Sequence, residues 1–368
     1  MAGFPFMRQA ETFLSSLPFI LLLAVFILPC PMSAAAKPRP AIAFVHLLLP
    51  PGGEPHASPA GWIGSLDRAR DTLESLRIPT IVSSASPGNA EDLNELSEMD
   101  PEVLITTSPL LYAAACDVAK RSPNTVFFAC TDETVHDNMS GFQARTYEAH
   151  YLAGLIAGAL SEDGVIGYLA NDPYQSKASR LRNANAFTLG AQKSKAAIRV
   201  LYAPGNDPDE ELKTLIAAGA DIVDLERALP SLVERLREHS VRYVGTAGRT
   251  VDPLCLAAPE WEWSNAFGDL LTQVRFGIWR PRNVSYGIKE GVVGLSPFGP
   301  AVPETVRVRV REAKKAIRNG ASPFEGPVRD VSGSLRIAEG SVPDDATLRG
   351  MDWRVQGLEP LPLTPDGL

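Results

Sequence analysis

The densest group of side chains able to move a proton or hold a metal is Asp132-Glu133-Thr134-Val135-His136-Asp137. These residues are neighbours in one short run that reads as a loop. They do not converge as ligands spaced along a helix or hairpin do. The chain has no HExxH, no paired CxxC, no GxSxG, no GxxxxGK[ST] and no GxGxxG. It holds five histidines, and one of them, His46, lies in an apolar strand-like run. No nucleophile stands beside a base. The sequence therefore points away from an enzyme and calls for no cofactor and no metal.

The sequence instead offers binding chemistry just after strand-like runs. Trp62 opens a helix behind a Pro/Gly loop, where an indole can stack on a flat ligand or simply pack on the loop. Ser108 and Asp132 follow two further runs, as cleft-facing polar groups or plain turn residues. Asn171 and Asp172 precede a proline, so a turn signal and a ligand contact look alike there. Asn206, with Asp207, suits either a contact or a helix cap. Glu226 is followed by Arg227, so an internal ion pair competes with ligand contact. Thr246 and Arg249 end the series, and a guanidinium there suits a carboxylate or phosphate. Lys289 stands in GIKEG. Together, Arg249 and Lys289 would make a pocket tolerant of anions.

The elements that must place these residues alternate. Strands are expected at Ala41–Leu48, Thr80–Ser84, Val103–Thr107 and Thr125–Cys130, with helices at Trp62–Leu76, Ala90–Leu96 and Leu110–Lys120 between them. A second series has strands at Val165–Ala170, Ile198–Tyr202, Asp221–Leu225 and Tyr243–Thr246. Its helices are expected at Ala178–Gln192, Asp207–Ala217 and Leu229–His239. Such alternation predicts an α/β chain with two parallel sheets covered by helices, and ligands in such folds sit at the carboxyl ends of the strands. The stretch Gly141–Asp172 lies between the two series. Its helix has one face of Ala153, Gly154, Ala157 and Gly158, which implies a very close neighbour. Beyond Gly248 the pattern predicts a strand at Leu254–Ala258, one long amphipathic helix over Trp261–Trp279, a strand at Val292–Leu295 and a charged helix at Pro303–Asn319. Residues 320–368 read as a wrapping tail.

The 368 residues carry a formal charge of −8 and no basic stripe, which argues against nucleic acid as a partner. Residues 1–36 read as a signal peptide. Leu17–Leu28 supplies the apolar segment, and Ser33-Ala34-Ala35-Ala36 supplies a small-residue cleavage site. The apolar segment is short for a bilayer span, and Pro29 before Cys30 argues against a lipid anchor. A periplasmic protein is expected. Cys116 and Cys130 have the option of pairing in that compartment, although small buried thiols are the simpler reading.

FQARTYEAHYLAG at Phe142–Gly154, followed by IAG and GVIGYLA, resembles the basic membrane protein family. So do NAFTLGA at Asn185–Ala191, AAGAD at Ala217–Asp221, GIKEGVVGLSPFGPAVP at Gly287–Pro303, FEGPVRD at Phe324–Asp330 and GMDW at Gly350–Trp353. These are the purine-nucleoside-receptor-like solute-binding proteins of ABC importers. The resemblance implies a type I periplasmic-binding-protein fold, with two doubly wound parallel-sheet lobes joined by three crossing segments. The crossings are expected near Ala144–Thr146, Gly248–Asp252 and Arg280–Val284. The first lobe would then comprise 37–144 and 249–282, and the second 145–248 and 283–368. The ligand would be a small solute, purine-like or a related heterocycle, with an ABC permease as partner and membrane contact only through that partner. The alternative is a sensor of the same fold that reports to a membrane receptor. Trp62, Asp67 and Lys289 are kept from the implied pocket, whereas Asn171 and Asp172 stand where relatives tend to carry an aromatic.

Overall fold

The computed structural model describes residues 39–48, 61–131, 133, 136–172, 175–245 and 252–362. The chain forms β1 (Ile42–Leu47), α1 (Trp62–Ser75), β2 (Thr80–Ala85), α2 (Glu91–Ser97), β3 (Val103–Thr106), α3 (Tyr112–Ala119), β4 (Val126–Cys130) and β5 (Met139–Ala144). There follow α4 (Tyr147–Leu160), β6 (Val165–Leu169), α5 (Lys177–Ser194), β7 (Arg199–Ala203), α6 (Pro208–Ala217), β8 (Ile222–Leu225), α7 (Pro230–Glu238) and β9 (Arg242–Gly245). The last third adds β10 (Cys255–Ala257), β11 (Pro259–Trp261), α8 (Ser264–Arg275), β12 (Val284–Tyr286), β13 (Val293–Leu295), α9 (Glu304–Arg318), β14 (Val328–Arg329), β15 (Leu335–Ile337), α10 (Asp345–Arg349) and β16 (Leu358–Pro360).

Two six-stranded sheets result, ordered β12-β5-β4-β3-β1-β2 and β10-β9-β8-β6-β7-β16. Every pairing within them is parallel. The pleat sends alternate residues to opposite faces. Ile42 and Phe44 pack with α1 and α8, while Ala43, Val45 and Leu47 pack with α2 and α3. In the second sheet, Ile166 and Tyr168 face α4 and α5, and Leu169 faces α6 and α7. Both faces are thus buried, which is why β1 is apolar at every position but His46 instead of alternating. The same split explains the cysteines. Cys116 lies under one face of the first sheet and Cys130 on the other, and both remain thiols.

The bare face of α4 meets α5. A Cβ on Gly154 would collide with the Phe187 carbonyl, one on Gly158 with the Ala191 carbonyl, and one on Gly190 with the Tyr151 carbonyl. The two helices therefore touch backbone to backbone.

Three expectations shift. Trp261 is not helical. It closes β11, which pairs antiparallel with β13 (Trp261 opposite Val293), and the helix begins only at Ser264. It also stops at Arg275, which leaves Phe276 and Ile278 exposed. Cys255–Ala257, expected with the first lobe, pairs with β9 and extends the second sheet. Val284–Tyr286, expected with the second, pairs with β5 in the first. The second and third crossings therefore fall later in the chain than the resemblance implies.

These crossings are knotted together. The Trp261 indole donates to Thr146 Oγ1 at 3.2 Å. The Arg145 amide donates to the Tyr286 carbonyl at 2.7 Å, and its guanidinium joins Glu148 and Glu290. Glu148 also accepts from the Ile288 amide at 2.6 Å. No helix among the described residues is long and apolar enough to cross a membrane.

Candidate functional site

The carboxyl ends of the strands and the start of α5 enclose a small cavity of about 60 Å³. One wall is Trp62, which opens α1, with Pro109, Cys130, Gln143, Ala144 and Thr146, at or just beyond the ends of β3, β4 and β5. The other is Gln175, Ser176, Ser179 and Arg182, from the first turns of α5 and the residues before it.

Trp62 holds its place by local chemistry. Its indole donates to the Thr107 carbonyl at 2.8 Å, and the rings of Trp261 and Trp263 pack edge-on against it at 5.7 and 5.3 Å. Behind it, His46 bridges Thr107 Oγ1 and Asp67, each at 3.3 Å, so Asp67 is already engaged inside the first lobe. Across the cleft, Ser176 caps α5 by accepting from the Ser179 amide at 3.1 Å. Arg182 donates to the Leu348 carbonyl at 3.1 Å, with its guanidinium over the Tyr147 ring.

Gln175 ties this wall to a buried polar network. Its amide donates to Asp172 at 3.0 Å and accepts from Ser179 at 3.0 Å and Asn183 at 2.9 Å. Below it, Glu226 accepts from the Tyr168 hydroxyl at 2.9 Å and the Asp172 amide at 3.4 Å. Burial pushes the Glu226 carboxyl up to about 7; His150 pulls it down and Asp172 pushes it further up. His150 sits 3.2 Å from Asp224. Burial alone would lower its pKa, but the Asp224 charge and hydrogen bond outweigh that and raise it.

The residues expected from the sequence are divided by this geometry. Trp62 lines the cavity. Glu226 and Asp172 lie in the network behind it, both buried. Ser108 is fully buried and caps a short helical turn by accepting from the Leu110 amide at 3.3 Å. Asn171 is bound to the Arg227 main chain. Asn206 is exposed beside α6, where Asp207 is the cap and Glu211 holds the Asn206 amide. Lys289 is exposed in the turn between β12 and β13, away from the cavity lining. Asp132, Thr246 and Arg249 lie outside the described residues. Gln143, Thr146, Ser179 and Arg182 were not singled out by the sequence. The Ser176-x-x-Ser179 start of α5 was the available signal for the last two.

The cavity's groups are amides, hydroxyls, a guanidinium and an indole. They can hold a ligand by hydrogen bonds and stacking. Among the described residues no three His, Cys, Asp or Glu side chains are grouped to hold a metal.

Comparison with known proteins agrees with this architecture. Residues 66–217 match the family model described as ABC transporter substrate-binding protein PnrA-like. A purine-binding protein of Brucella abortus (strain 2308) is 28% identical over 344 residues, covering 89% of this chain and 95% of that protein. A Haloferax volcanii protein named as an ABC transporter glucose-binding protein is 28% identical over 307 residues, covering 77% of this chain and 78% of that protein. Among solved structures, an ABC transporter solute-binding protein from Conexibacter woesei superposes with a TM-score of 0.59 at 17% identity, covering 76% of this chain and 97% of that one. With two parallel six-stranded sheets, linked crossings and the match from within α1 to the end of α6, the chain is similar to the PnrA-like ABC transporter substrate-binding proteins.

Proposed function

We propose that this protein captures a purine-like or related heterocycle between its two lobes, outside the cytoplasmic membrane, and hands it to an ABC importer. The observation that carries this reading is a cavity walled by the strand ends of the first sheet and by α5, with an indole on one side and the polar start of α5 on the other. Ligand touching both walls favours the closed arrangement over the open one. A volume of about 60 Å³ is far below the roughly 300–1,000 Å³ of small-molecule sites. The walls must therefore separate to admit a heterocycle. The purine-binding relative supports the ligand class, and the apolar segment Leu17–Leu28 with the Ala-rich site after it supports export. No catalytic step is assigned.

The test is a thermal-shift panel on the mature protein with purine bases, purine nucleosides and glucose, paired with native mass spectrometry. Purines should raise Tm in proportion to the logarithm of their excess over Kd. Gln143→Ala should weaken binding about tenfold, the worth of one good polar contact. Stabilisation by glucose without purine would replace the ligand class. A flat response to the whole panel would remove the importer reading.

A further inference from the structure

A groove of about 530 Å³ lies apart from the cleft, over the β11–β13 ribbon. The ribbon consists of two of the three crossings: β11 leads from the second sheet to α8, and β13 leads from the first sheet to α9. Arg68 of α1, in the first lobe, forms one wall. Lys314 and Arg318 of α9, which packs on α4 in the second lobe, form the other.

Three cations, Arg68, Lys314 and Arg318, and two carboxylates, Glu260 and Glu262, line the groove, an excess of one positive charge within a chain of formal charge −8. Arg68 is steadied by donating to the Trp261 carbonyl at 3.3 Å. Lys314 and Arg318 stand one helical turn apart, a spacing at which like charges repel. Burial and the Arg318 charge hold the Lys314 amine below the ordinary lysine range, and Glu260 offsets only part of this. Of the two lining carboxylates, Glu262 accepts from the Ser264 amide at 3.0 Å. The floor under Lys314 is bare, since a Cβ on Gly294 would lie 3.5 Å from its amine. Two cations gathered over an open floor, with a third opposite, match the charge-assisted hydrogen bonding that phosphate and carboxylate groups prefer. The volume lies within the range of small-molecule sites.

We propose that this groove is a second ligand site, for a small molecule carrying a phosphate or carboxylate group, and that its occupancy biases lobe opening. The two walls belong to different lobes and the floor is the hinge itself. An anion bridging Arg68 to Lys314 and Arg318 has one preferred wall separation. It therefore shifts the population of lobe angles, whatever the cleft binds.

Inorganic phosphate and citrate, titrated into the mature protein at constant ionic strength, test this by calorimetry and by the fluorescence of Trp261 in the groove. Binding is expected at millimolar or lower concentration. The double variant Lys314→Gln/Arg318→Gln, and Arg68→Gln separately, should each weaken it about tenfold or more. Arg311→Gln, an exposed charge on the same helix paired with Glu304, should leave it unchanged. Absence of binding, or equal weakening by Arg311→Gln, overturns the site. Small-angle scattering should show a changed radius of gyration with phosphate in the wild type and none in the double variant. Binding without that change overturns the coupling to the hinge. Phosphate winning over citrate identifies a phosphate ester as the ligand class, and the reverse a carboxylate. None of these readouts uses the cleft ligand, so they stand or fall separately from the purine reading.

Discussion

Asn171 clasps the main chain of Arg227 from both sides: its Nδ2 donates to the carbonyl at 2.9 Å, and its Oδ1 accepts from the amide at 2.8 Å. The side chain thus fastens the loop after β6 to the loop after β8, at the end of the second sheet that faces the cleft. Asn171→Ala would leave two main-chain groups without that partner. A loss of about 1–3 kcal/mol is expected, read as a lower urea midpoint with an unchanged m-value. An unaltered midpoint would show that the clasp contributes nothing to stability.

The contact between α4 and α5 makes a second prediction. Glycine to alanine normally stabilises a helix interior by about 1 kcal/mol. At Gly154 and Gly158 the new methyl would meet the carbonyls of Phe187 and Ala191, so each variant should be destabilised instead, by about 1–3 kcal/mol or more. Gly268 in α8 has open space where its Cβ would go, and Gly268→Ala should be neutral or mildly stabilising. Chemical denaturation of the three variants side by side checks the contrast. Equal effects at all three positions would contradict the close approach.

The buried carboxylate sets a pH dependence. Glu226 is raised from 4.5 to about 7 in the folded protein. Between those values the folded state holds a proton that the unfolded chain has released, so stability falls as pH rises through that window. His150 acts in the same direction: its contribution is complete below about 6.5 and is lost as pH climbs through its raised folded value. The Glu226 contribution is on the order of 3 kcal/mol. Melting curves from pH 4.5 to 8 should therefore slope downward beyond any loss from other groups. Glu226→Gln, fixed in the neutral form, should flatten the slope and match or exceed the wild type at pH 8. A steeper fall in the variant would reverse the assignment.

Thiol titration provides a fourth check. Cys116 and Cys130 lie on opposite faces of the first sheet, and burial pushes Cys255 up to about 11. The thiolate is the reactive form. Folded protein lacking residues 1–36 should therefore react slowly with a disulfide reagent at pH 8, whereas the same protein denatured and unreduced should show all three groups. Only one reactive thiol after denaturation would reveal a disulfide.

Much of this architecture was legible in the residues. The continuous apolar run of β1 announced burial on both faces, and the small residues of α4 announced a close partner. Trp261 was misleading because a three-residue strand has too few positions to show a period. Its assignment depends on Val293, which arrives 32 residues later. The ends of β10 and β12 were hidden for the same reason: both are three-residue strands whose sheet is chosen by a distant partner. At the site, Trp62 was recognisable as the first residue of a helix after a strand. Gln143, Ser179 and Arg182 were not, because their facing depends on how the two sheets approach each other. Asn171 follows the carboxyl end of its strand, and its amide is consumed by the neighbouring loop.

The placement of β12 and β16 has a consequence for how the chain is made. The first sheet waits for residues 284–286, which are translated only after β6 to β10 of the second sheet. The second waits for residues 358–360 before β7 is covered. The first sheet therefore keeps β5 uncovered until most strands of the second have been made. Unpaired edges are sites of wrong pairing, and contacts this distant in sequence form slowly. A nascent chain of this design cannot finish the first sheet before most of the second has been made, and the second is finished last, with β16.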